Sequence, residues 1–99
     1  DFRIVPVTSS LDVIYCSYIK RKMPVMAYGD FPMMRTTIPN AIVIIGKVGD
    51  YYIVHDPRGN ANTGYAVSYG RNVLYHEQDL VMCLRRSPKG GIIGVRADS

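Results

Sequence analysis

The chain has 99 residues, 47% of them hydrophobic and 20% charged. That is room for one small globular domain over residues 1–99, and the composition excludes a disordered chain. Twelve Lys and Arg against eight Asp and Glu give a formal charge of +4, which permits an anionic partner without requiring one.

The other exclusions follow from motifs. No apolar run approaches the roughly 20 residues of a membrane span; the longest, Ala41 to Ile45, stops at Gly46. Membrane insertion by this segment is therefore not expected. The phosphate-cradling GxxxxGKS/T loop, the dinucleotide-binding GxGxxG and the esterase GxSxG are absent. Cys16 and Cys83 lack CxxC spacing, and with His55 and His76 they form no zinc pattern. No metal and no cofactor is expected. Free thiols suit a reducing compartment, so a cytoplasmic protein or a delivered effector is expected over a disulfide-stabilised extracellular one. The chain begins at Asp1 rather than Met, which points to a piece of a longer or processed protein.

In chain order, Ser9-Ser10 and Asp12 predict a capped helix start. Leu11, Ile14, Tyr15, Tyr18 and Ile19 fall on one helical face. Lys20, Arg21 and Lys22 place cations at its end, and Pro24 stops it. Val25 to Tyr28 reads as a short buried strand closed by Gly29, with loop over 29–40 carrying Met33 and Met34. Ala41 to Val48, the turn Gly49-Asp50 and Tyr51 to His55 predict a β-hairpin. Asp56 to Asn60 is a turn cluster. A strand is expected at Tyr65 to Tyr69. Glu77 to Arg86 predicts a helix with Leu80, Val81, Cys83 and Leu84 inward, broken by Pro88, Gly90 and Gly91. Ile92 to Arg96 is a last strand. This is an α+β pattern: a mostly antiparallel sheet with one or two packed helices.

The hairpin carries the chemistry. Positions 40 and 56 flank its open end, so Asn40 and Asp56 are placed to touch. A base and its orienting acid stand this way on neighbouring strands of papain-like enzymes. The run from Asn40 through the strands Ala41 to Ile45 and Tyr51 to Val54 to Asp56-Pro57 resembles the bacterial bacteriocin-processing cysteine peptidases that cut double-glycine leaders. The helix Leu11 to Ile19 and the strand Lys22-Met23-Pro24-Val25-Met26-Ala27 are similar to that family too. The likeness covers residues 9 to 60. It implies a papain-like distal half, the C-terminal part of a larger domain, with Asp56 at the family's Asp position. Asn40 stands where the family has His, and Asn accepts no proton near neutral pH. The family's nucleophilic Cys lies on an earlier helix, and Cys16 does not match it. The resemblance thus implies a degenerate domain without proteolytic activity of its own, binding a peptide or protein partner.

Plainer readings stand beside this one. Asp56 and Asn40 are also ordinary turn residues, Cys16 and Cys83 packed thiols, and the eight tyrosines half-buried strand residues or a protein-contact surface. An alternative function uses the basic charge: a small metal-free ribonuclease toxin, with His55 and His76 as base and acid and cations on the RNA phosphate.

Overall fold

The computed structural model describes residues 2–5, 11–31, 38–86 and 93–96. Its elements are β1 (Phe2–Val5), α1 (Leu11–Ser17), a 3-10 turn Ile19–Arg21, β2 (Val25–Phe31), β3 (Ile38–Val48) and β4 (Tyr51–His55). A second 3-10 turn Ala61–Thr63, β5 (Val73–His76), α2 (Glu77–Arg86) and β6 (Ile93–Arg96) follow. The strands form one sheet in the order β1-β6-β2-β3-β4-β5, and every pairing is antiparallel. The α+β class read from the sequence is the class observed.

Strand β2 shows why the sheet has an inside. Val25, Ala27, Gly29 and Phe31 are buried, and the residues between them are half-buried. That is the period of two that places alternate side chains on opposite faces. Both helices cover the same inner face. The hydroxyl of Tyr52 reaches the Leu11 carbonyl of α1 at 3.5 Å. From α2, Leu80, Cys83 and Leu84 are buried, and Val81 packs against the core from its edge. Burial of a side chain such as Leu80 stabilises the fold by about 1.5–3 kcal/mol.

Gly29 does not close β2 as expected; the strand continues to Phe31. A Cβ at position 29 would lie 2.8 Å from the Cys83 carbonyl oxygen. Glycine is present there because α2 crosses the strand with its backbone, a close approach rather than a turn. Strand β3 likewise begins at Ile38, so the predicted loop over 29–40 is mostly strand. Met33 and Met34, the Ser9-Ser10 start, Pro88, Gly90, Gly91 and the side chain of Ile14 lie outside the described residues.

The hairpin bounds are as predicted at the turn and at His55. Gly49 takes a left-handed φ of 58° with nothing near its missing Cβ. Conformation, not space, calls for glycine there. Within β3 the register slips between Ile44 and Gly46: Ile44 pairs with Val54 and Gly46 with Ile53. Ile45 is thus the extra residue of a β-bulge. Beyond it Lys47 pairs with the inward-facing Tyr52, and Val48 pairs with Tyr51 and is 61% exposed. The Lys47 ammonium lies 5.2 Å from the Tyr15 ring centroid, 5.4 Å from that of Tyr52 and 3.5 Å from the Glu77 carboxylate.

Helix α1 is shorter than its apolar face suggests. It ends at Ser17, and Lys20 and Arg21 lie in the 3-10 turn instead, which Lys22 caps in the left-handed region at φ 62°. Two corrections concern strands. Tyr65 to Tyr69 is not a strand; the fifth strand is Val73–His76. Tyr65 is left-handed (φ 67°) and its N–H donates to Asn60 O at 3.1 Å, which bends the chain out of an extended path. Strand β1 was not expected.

Candidate functional site

Asn40 lies on β3 opposite Gly29 of β2. Asp56 is the first residue after β4. The hairpin brings them together as the spacing predicts: Asn40 Nδ2 donates to Asp56 Oδ1 at 2.8 Å. Both are buried, Asn40 at 7% and Asp56 at 4% exposure. A buried carboxylate needs partners, because its desolvation costs several kcal/mol if uncompensated. Asp56 has four. Oδ1 also accepts the Arg58 N–H at 2.9 Å, the local turn bond typical of Asp. Oδ2 accepts the hydroxyls of Tyr75 at 2.6 Å and Tyr65 at 2.9 Å.

The two tyrosines extend the network. Tyr65 accepts from Asn40 Nδ2 at 3.1 Å, and Tyr75 accepts from the Ala61 N–H at 3.0 Å. Burial holds both phenols neutral, raising their pKa well above the ordinary 10.0, and the hydrogen bonds to the Asp56 carboxylate add to the rise. Ionising either would set a phenolate against a carboxylate.

The segment after Asp56 is folded onto it by backbone bonds. Asp56 N–H donates to Gly70 O at 2.8 Å, Gly59 N–H to Asp56 O at 3.1 Å, and Asn60 N–H to Val67 O at 2.9 Å. Space is tight here. A Cβ on Gly70 would run into the Asp56 carbonyl oxygen, and one on Gly59, at φ 119°, into the Val67 carbonyl oxygen. An open groove of about 450 Å³ lies between this folded segment and the outer face of the hairpin. Ala41, Val43, His55, Pro57, Tyr69 and Arg71 line it, together with Asp56, Ser68 and Gly70.

The other candidates are placed apart. His55 sits at the groove, where its Nδ1 accepts the Asn72 N–H at 3.2 Å. His76 lies at the far end of the β4–β5 ladder, opposite Tyr51, edge-on to that ring at 5.1 Å, with Nδ1 accepting the Gln78 N–H at 3.2 Å. Four residues of strand separate the two positions, roughly 13 Å at the extended rise. They do not meet over one phosphate, and the structure gives the ribonuclease pair no shared site. Cys83 is buried in α2 and Cys16 exposed on α1, neither in a disulfide. Among the described residues no three His, Cys, Asp or Glu side chains converge as metal ligands. Nor is any described helix long and apolar enough to cross a membrane.

Sequence reasoning missed Tyr65 and Tyr75 as partners of Asp56. Their only signal was the tyrosine excess downstream of the hairpin. In chemical terms the cluster is one carboxylate whose two oxygens accept from a side-chain amide, a backbone N–H and two hydroxyls. It ties the segment after Asp56 to the end of the hairpin, beside the groove. Compared with known proteins, the chain matches no family model, no curated protein and no solved structure.

Proposed function

We propose that the chain is a papain-like domain of the bacteriocin-peptidase type, with the catalytic base replaced, that binds a peptide or protein segment without cleaving it. The observation that carries this reading is the 2.8 Å contact between Asn40 and Asp56 at the open end of the hairpin. It is the position and pairing that the resemblance assigns to the base and its orienting acid. The Asn side chain keeps the hydrogen bond and loses the proton chemistry. The groove beside Asp56 offers a binding surface between the hairpin and residues 68–71.

Two measurements test it. In Asn40→His, an imidazole beside Asp56 is expected to titrate above the ordinary histidine value, and the rise should vanish when Asp56→Asn is added. NMR titration of the two variants reads this directly. For binding, a peptide ending in a double-glycine sequence should shift the amide resonances of Ala41, His55 and residues 68–71 of the unmodified protein, and leave the peptide intact. An imidazole indifferent to Asp56, or shifts confined to other surfaces, would refute the reading.

A further inference from the structure

The groove beside Asp56 is uneven in its chemistry. One wall, from the outer face of β3, is apolar: Ala41 and Val43. Val43 is paired on both sides, with β2 and β4, and Ala41 with β2, so this wall is offered mainly as side chains. The rest of the lining carries donors, from His55 beside Val43 on the hairpin and from residues 69–71 across the groove. The Asn72 N–H occupies His55 Nδ1, which leaves the proton on Nε2 as a donor. Arg71 is exposed and, among the described residues, has no ion-pair partner. Tyr69 stands 66% exposed beside it. The one carboxylate at the groove, Asp56, is saturated by its own four donors.

We infer that this groove takes an acidic peptide segment: a carboxylate seated on Arg71 and His55, and a neighbouring apolar side chain against Ala41, Val43 and Pro57. The inference rests on the peptide-binding reading above and names the ligand class. Charge complementarity supports it, since Arg presents a planar fork matched to a carboxylate and His55 adds a second donor. The chain's +4 charge works in the same direction. A nucleic acid fits less well. A strand track uses a row of cations and several stacking rings, and this groove has one guanidinium and one tyrosine.

The test is an NMR titration of the intact chain with three probes. Two are acetylated, amidated pentapeptides, Leu-Glu-Leu-Glu-Leu and its neutral counterpart Leu-Gln-Leu-Gln-Leu. The third is a uridine hexanucleotide. The Glu peptide is expected to shift the amides of His55, Tyr69, Gly70 and Arg71 and to bind at least about tenfold more tightly than the Gln peptide. Arg71→Gln should remove that difference, whereas Lys20→Gln, outside the groove, should keep it. Both sites are exposed, and a dispersed amide spectrum checks that each variant is folded. Equal binding of the two peptides overturns the acidic ligand and leaves the peptide-binding reading standing. Failure of both peptides overturns the two together. Tighter binding of the uridine oligomer at the same amides overturns the peptide in favour of a nucleic acid.

Discussion

Tyr75→Phe isolates the strongest bond of the Asp56 cluster. The substitution removes one oxygen and keeps the ring, which is fully buried and lies 6.0 Å from that of Phe31. Its two shorter hydrogen bonds go with it, the 2.6 Å donation to Asp56 Oδ2 and the 3.0 Å bond from the Ala61 N–H, along with a long 3.4 Å approach to the Gly59 carbonyl. A hydrogen bond to a charged group contributes roughly 1.5–3 kcal/mol, and a buried N–H left without an acceptor costs about 1–3 kcal/mol. The expected loss is about 3–5 kcal/mol, a large part of the roughly 5–15 kcal/mol available to a domain of this size. At 4–8 °C per kcal/mol, the melting temperature should fall by more than about 10 °C. Tyr65→Phe removes an equivalent donor from a half-buried position and should cost less, about 1–2 kcal/mol. Urea denaturation followed by circular dichroism, with the slope m held equal, measures both. The double variant should depart from additivity, because the hydroxyls share one oxygen. A loss below about 1 kcal/mol for Tyr75→Phe, or a larger one for Tyr65→Phe, would show that the cluster does not anchor the segment after Asp56.

Three other outcomes follow from the same geometry. Tyr65 and Tyr75 are held neutral by the fold, so their contribution is complete below the unfolded value near 10.0 and is lost as pH rises through the higher folded values. Absorbance at 295 nm should therefore show at least two tyrosines that ionise only as alkaline unfolding proceeds; full ionisation with a native circular dichroism spectrum would contradict this. Gly70→Ala forces a methyl group into the Asp56 carbonyl and should cost at least about 2 kcal/mol, displacing the amide resonances of Asp56 and residues 68–71. A variant as stable as the parent would rule out the contact. Lys47→Gln removes a cation from two rings and a carboxylate, and thermal denaturation should register a loss of about 1–2 kcal/mol that shrinks in high salt.

The hairpin and α2 were legible because their signals are local: β-branched runs around a two-residue turn, and apolar residues three and four apart. The Asn40–Asp56 contact was legible for the same reason, since a hairpin converts a spacing into a distance. What escaped depends on contacts far apart in the chain. Gly29 reads as a strand end until α2 is seen crossing it. Tyr65 to Tyr69 has strand-like composition, but Asn60 and Thr63 take up its backbone groups first. The roles of Tyr65 and Tyr75 are set by a carboxylate 9 and 19 residues upstream, and no period in the sequence carries that.

The bulge at Ile45 divides β3 into two reading frames. Up to Ile44 the even positions face the helices; from Gly46 onward the odd ones do. A strict alternation would have buried Val48 and left Lys47 in water, the reverse of what is observed. Parity, rather than composition alone, therefore decides which residues of this strand can vary in polarity. It also decides which changes of length the strand tolerates. Loss or gain of one residue on either side of the bulge turns a stretch of strand inside out, whereas loss of Ile45 itself leaves both frames, and the Asn40 end of the strand, as they are.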